Sequence, residues 1–206
     1  LRESSDEDIA AASKPRRLNS RKGENGVVLV VGGSWLYHGA PLLASLAAMR
    51  AGVDLVYLAV PEKIATAIRS YTPSIIVLPL TDYKLTPRSA VRIAEVVDGI
   101  TALTVGPGLA RGSEKGIIEL LENIRGAGVP AVLDATALFP EVLNTVSGRD
   151  VVLTPHAGEF RRLFGIELGS SVEERVEKVR EMCQRYNVTV LLKGVVDVIS
   201  DGKEVV

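Results

Sequence analysis

Residues 27–41 read Val27-Val28-Leu29-Val30-Val31-Gly32-Gly33-Ser34-Trp35-Leu36-Tyr37-His38-Gly39-Ala40-Pro41. Five consecutive apolar residues break into a glycine pair, and Gly39-Ala40-Pro41 opens the segment that follows. A strand with no polar alternation is buried on both faces, as in a parallel sheet covered by crossover helices. Glycines between such a strand and a helix start leave backbone amides and the helix dipole open to an anion. A tight turn in any α/β protein has the same appearance, so this stretch decides the fold before it decides the function.

The pattern recurs outward from there. Apolar runs at 55–60, 75–78, 103–105, 131–133, 151–153 and 188–192 read as further strands, and helical patterns occupy 41–51, 62–70, 87–97, 113–125, 158–164 and 172–186. Pro41 and Pro87 suit first helical turns, and Gly52 and Gly126 suit helix C-termini. This alternation predicts a three-layer α/β/α fold around a mainly parallel sheet. Ala44, Ala47, Ala48 and Ala51 predict a thin helix that packs close to the sheet. Residues 144–150 read as a loop. Residues 195–200, Asp201-Gly202 and 203–206 read as a hairpin with a tight turn. Residues 1–25 are polar, carry the cluster Lys14-Pro15-Arg16-Arg17 and show no apolar periodicity, so they are expected to wrap or link. Residues 26–206 form the domain, because 206 residues support one sizeable core.

Composition narrows the function. A net charge of -1 and a pI near 6.2 supply no basic field for nucleic acid. No apolar run approaches the roughly 18 residues of a membrane span. With Cys183 alone, neither an intrachain disulfide nor a multi-cysteine metal site can form, and a reducing cytoplasm is the expected setting.

Five strand endings concentrate chemistry: Gly32-Gly33-Ser34, Gly106-Pro107-Gly108, Asp134-Ala135, residues 155–159 and Lys193-Gly194. In an open α/β sheet, strand carboxyl ends form one rim, and ligands bind in the crevice beside it. Asp134 either faces a metal-bound phosphate or caps a short helix beginning near Ala137. In Thr154-Pro155-His156-Ala157-Gly158-Glu159 an imidazole and a carboxylate stand three residues apart at a helix start, where the carboxylate also suits the dipole. Lys193 leaves a buried strand, which is costly unless its ammonium meets anions or solvent. His38 is expected to pack or be solvated.

Taken together, residues 32–41, Gly106-Pro107-Gly108-Leu109, Leu133-Asp134-Ala135, residues 153–159 and Leu192-Lys193-Gly194 resemble the ADP/ATP-dependent NAD(P)H-hydrate dehydratases of the ribokinase-like superfamily. Residues 19–26 resemble the same family's approach to the first strand. The resemblance implies a hydro-lyase of metabolite repair. It would convert hydrated NADH or NADPH back to the intact cofactor by phosphorylating the ring hydroxyl from ADP or ATP, with Mg2+, and eliminating phosphate.

By matching positions, Ala40, Gly108 and His156 would contact the dinucleotide, and Lys193, Gly194, Val195, Val196 and Asp197 would line the nucleotide phosphates. Asp134 and Glu159 would organise metal or phosphate. Kinases of the superfamily, such as hydroxyethylthiazole kinase, and a non-catalytic nucleotide-binding remnant are the alternatives. Ala110 stands where the family commonly has glycine, and Asp197 where it commonly has threonine. The resemblance places the catalytic aspartate beyond Val206, so the C-terminal part of the fold is expected to be missing from the sequence as written. It also implies a homo-oligomer, with a tetramer among the candidates, and leaves room for a fused epimerase domain.

Overall fold

The computed structural model describes every residue except 14, 98 and 125–127. Lys14 of the basic cluster and the expected helix end at Arg125 and Gly126 therefore lie outside the described residues. Strands β1 (Val27–Val31), β2 (Leu55–Pro61), β3 (Ile76–Leu80), β4 (Ala102–Val105), β5 (Ala131–Leu133), β6 (Val151–Leu153), β7 (Thr189–Leu192) and β8 (Val198–Ser200) form one sheet. Their order is β3-β2-β1-β4-β5-β6-β7-β8. All pairings are parallel except β7 with β8. The helices are α1 (Asp6–Ala12), α2 (Gly39–Arg50), α3 (Glu62–Tyr71), α4 (Pro87–Val96), α5 (Glu114–Ile124), α6 (Val142–Val146), α7 (Ala157–Phe164) and α8 (Val172–Tyr186).

The period of two along each strand divides the core. Leu29, Val31, Leu103, Val105, Leu133 and Leu153 enter the larger cluster with Ile93, Ile117, Phe160 and Met182 from α4, α5, α7 and α8. Val28, Val30, Val56, Leu58 and Val60 point the other way and meet Ile64 and Ile68 of α3 and Leu42 and Leu46 of α2. Alternate residues thus feed opposite layers. The second layer thins beyond β4, where Val132, Val152 and Leu191 are only half-buried. Cys183 is wholly buried in α8, and burial pushes its thiol up to about 11, so it serves packing.

Several expectations need correction. Strand β3 is Ile76–Leu80 and not 75–78, so it runs through Pro79; as the edge strand it has no neighbour on one side to miss the lost N–H. Residues 1–25, where no helical periodicity is read, carry the short helix α1, closed by a capping box between Ser5 and Asp8. The loop expected at 144–150 begins inside α6. Of the four alanines expected to thin α2, Ala44 and Ala48 pack against the sheet, while Ala47 and Ala51 face outward. The terminal hairpin forms, with Ile199 and Val206 exchanging two backbone hydrogen bonds, but its first arm is only β8, and residues 193–197 are a loop.

Two anchors tie the N-terminal stretch down. Arg16 donates to Gly52 O and Asp54, and the amides of Gly23 and Asn25 donate to Asp54 Oδ2 at 2.9 and 3.0 Å. The Asp54 carboxyl is held below its ordinary range, chiefly by the Asn25 amide. Arg2 N donates to Val205 O at the other end of the sheet. Among the described residues, no helix is long and apolar enough to cross a membrane.

Candidate functional site at the carboxyl rim

Because β1, β4, β5, β6 and β7 are parallel and adjacent, the five chemistry-bearing endings lie on one edge of the sheet. The span from β1 to β7 is four strand spacings, about 19 Å. Strand order reverses between β1 and β4, and this switch point is where open α/β sheets leave a crevice.

The crevice is built by glycines for steric reasons. Gly33 N donates to Pro107 O at 2.9 Å, which draws the β1 and β4 loops together. A Cβ on Gly106, at φ 120°, would collide with Asp134 O, and one on Gly108 would stand 2.6 Å from Tyr37 O. The loop from Ser34 to Tyr37 is closed by Tyr37 N donating to Ser34 Oγ at 3.1 Å, and it projects Trp35, Leu36 and Tyr37 into solvent. Ala40 and the exposed His38 stand where this loop enters α2.

Farther along the rim the site becomes ionic. Lys193 Nζ lies 2.7 Å from Asp134 Oδ1 and 3.8 Å from Glu159 Oε2. Thr154 Oγ1 donates to the same Asp134 oxygen at 2.9 Å. Asp134 therefore does not cap the short 3-10 turn Ala135–Ala137 with its side chain, which was the simpler expectation. The carboxylate is instead the counter-ion that steadies Lys193. Ala135 follows with φ 51°, a left-handed conformation that costs a non-glycine residue roughly 1–2 kcal/mol. Arg162 compensates by donating to Ala135 O and Leu138 O.

His156 and Glu159 each hold the start of α7. Imidazole Nδ1 accepts the amides of Gly158 and Glu159, while Glu159 Oε2 accepts the amide of His156 at 2.9 Å. The structural and site readings of this pair are thus compatible, since Glu159 is buried but the His156 side chain is 60% exposed. His156 and Lys193 are bridge partners, with Lys193 N donating to Pro155 O.

In the loop after β7, Asp197 Oδ1 accepts the Gly194 amide at 2.8 Å. The acidic departure at 197 therefore closes the loop. Val195 and Val196 are exposed beside it. The sequence reading missed Arg175 of α8, whose guanidinium lies 2.8 Å from where a Cβ on Gly194 would stand. It also missed Thr154 and Arg162 as supports. Nothing local marks Arg175 or Arg162, because each reaches the rim only through the packing of its helix.

A mainly parallel α/β sheet with a glycine-built crevice at its switch point and a lysine between two carboxylates on the same rim defines an open α/β protein with a ligand site at its carboxyl edge. Comparison with known proteins narrows that class. The family described as NAD(P)H-hydrate dehydratase matches residues 28–206. The chain is 46% identical over 198 residues to the ADP-dependent (S)-NAD(P)H-hydrate dehydratase of Cenarchaeum symbiosum, covering 96% of this chain and 69% of that protein. It is 41% identical to the bifunctional NAD(P)H-hydrate repair enzyme Nnr of Pyrobaculum aerophilum, covering 96% of this chain and 40% of that one.

The crystal structure of the ADP/ATP-dependent NAD(P)H-hydrate dehydratase from Bacillus subtilis, co-crystallized with ATP/Mg2+, superposes with a TM-score of 0.79 at 27% identity. That match covers 96% of this chain and 68% of that chain. The chain belongs to the NAD(P)H-hydrate dehydratase family. It spans about two thirds of the length of the relatives from Cenarchaeum symbiosum and Nitrosopumilus maritimus and less than half of the bifunctional one.

Proposed function

We propose that this protein dehydrates hydrated NADH or NADPH to the intact cofactor with ADP or ATP as phosphoryl donor. The observation that carries this reading is the single rim on which the β1 and β4 glycine loops, His156 and the Lys193–Asp134 pair lie in a row. In this reading the dinucleotide lies over Ala40, Gly108 and His156, and the nucleotide phosphates lie along residues 193–197 toward Arg175.

The reaction balances in two steps. The ring hydroxyl gives up its proton to solvent and attacks the terminal phosphorus of ADP or ATP, and the bond from that phosphorus to AMP or ADP breaks. The resulting ester then leaves as phosphate while the neighbouring carbon loses a proton and the ring double bond returns. The residues on this rim position the reactants and screen charge, which is most of what phosphoryl transfer needs. Lys193 supplies a compact cation, and Arg175 a second cation at the adjacent loop.

The donor set also fits Mg2+. This ion takes one or two carboxylates together with substrate phosphates and water. Asp134 and Glu159 flank one ammonium, and Glu159 Oε1 lies 3.5 Å from His156 Nε2. These two carboxylates would hold the ion, which would screen the phosphoryl oxygens.

A homo-oligomer belongs to the same proposal. On helix α2 the one charged residue is Arg50 and Ser45 is buried, while Leu43 is 68% exposed; Trp35 and Leu36 of the preceding loop are exposed as well. A surface helix without a polar face calls for a cover. A fused epimerase domain, as the two-activity relatives suggest, and a cytoplasmic setting complete the reading.

The test is to add ADP or ATP with Mg2+ and hydrated NADH to the full encoded protein and follow absorbance at 340 nm. Recovery with either nucleotide supports the proposal. A stable phosphorylated product without recovery would assign a kinase instead, and no reaction with either nucleotide rejects both.

A further inference from the structure

We infer that His156 meets its ligand as a neutral hydrogen-bond donor through Nε2, with its tautomer fixed by the first turn of α7, and therefore selects an acceptor oxygen. The inference rests on the dehydratase reading only for the identity of the ligand, the dinucleotide. Imidazole Nδ1 lies 3.0 Å from Gly158 N and 3.3 Å from Glu159 N. Backbone N–H groups only donate, so Nδ1 must present its lone pair, and the single proton of a neutral ring then sits on Nε2. Glu159 reinforces the arrangement by accepting His156 N–H at 2.9 Å.

Nε2 is not committed in the same way. Its charged neighbour, Glu159 Oε1, is 3.5 Å away, beyond a hydrogen bond of full strength. The side chain is 60% exposed on the rim next to Lys193. Asparagine at this N-cap would satisfy the same amides with its side-chain oxygen. What the imidazole adds is a second ring nitrogen that carries the proton, on a side chain 60% exposed. Lys193 supplies charge to an anion, whereas His156 supplies direction to a single acceptor.

The tautomer can be read by long-range 1H–15N correlation on the 15N-labelled full-length protein at about pH 8, above the ordinary imidazole range. His38 is the only other histidine, so His156→Asn assigns the signals. The expected pattern is a fixed Nε2–H tautomer for His156. A fixed Nδ1–H form, or averaging like that of free imidazole, overturns the inference.

NADPH titration supplies the second arm. His156→Asn should keep the melting temperature within about 2 °C while weakening NADPH about tenfold, equivalent to about 1.4 kcal/mol. His156→Ala should lower both. Unchanged NADPH affinity in His156→Asn, or no NADPH binding by the wild type, overturns the donor role. A failed hydrate assay beside the expected tautomer and NADPH response counts against the dehydratase reading alone.

Discussion

Lys193 illustrates how a costly residue is made useful. An ammonium at the end of a buried strand is held by Asp134 at 2.7 Å, and Asp134 is in turn held by the Thr154 hydroxyl at 2.9 Å. The ion pair is partly open, with the Lys193 side chain 41% exposed, so solvent screens it and it adds little to stability. Its value lies in placement, and Thr154 is the residue that places it. Thr154→Val keeps the shape and removes a hydroxyl that contacts both Asp134 Oδ1 and Leu133 O. We expect a loss of about 1 kcal/mol in urea unfolding together with weaker ADP binding by calorimetry. Unchanged binding in a destabilised variant would make Thr154 merely structural. At this scale the sequence named Asp134, His156, Glu159 and Lys193, because a charged residue ending an apolar strand stands out. It gave no hint that Thr154, Arg162 and Arg175 support them, since those contacts join residues tens of positions apart.

At the scale of elements, period and punctuation carried most of the information. The double-sided apolar runs became β1 to β7, Pro41 and Pro87 fall in the first turns of α2 and α4, and Gly52 lies just past the end of α2. The apolar run at 75–78 falls short of strand β3, which continues through Pro79 to Leu80, and only the sheet order makes it an edge strand. Helix α2 is the opposite case: its composition was legible, but which alanines face the sheet depends on how the helix is rotated against β1 and β2. That rotation leaves Leu43 outward. Leu43→Glu should therefore leave the fold intact by circular dichroism and lower the mass found by light scattering toward that of one chain. A monomeric wild type, or an unchanged assembly in the variant, would remove α2 as the contact face.

The whole molecule is closed by its N-terminal stretch. Asp54 gathers the amides of Gly23 and Asn25 and the guanidinium of Arg16, and these contacts hold its carboxyl below the ordinary value. A carboxylate depressed in the folded state favours folding above its unfolded pKa, about 3.9, and that contribution fades as pH falls through the folded value. The melting temperature of the wild type should therefore exceed that of Asp54→Asn most at neutral pH, and the gap should narrow below about pH 4. A gap that widens on acidification would contradict this account.

The sequence by itself determined the alternation of strands and helices, the parallel sheet and the identity of most rim residues. These follow from local periodicity and from the exceptional cost of glycine, histidine and lysine at strand ends. Only the tertiary structure decided the strand order, the counter-ion role of Asp134, the capping of α7 by His156 and the reach of Arg175. Those features are distances between residues that the chain keeps far apart, and they are fixed by how the layers pack.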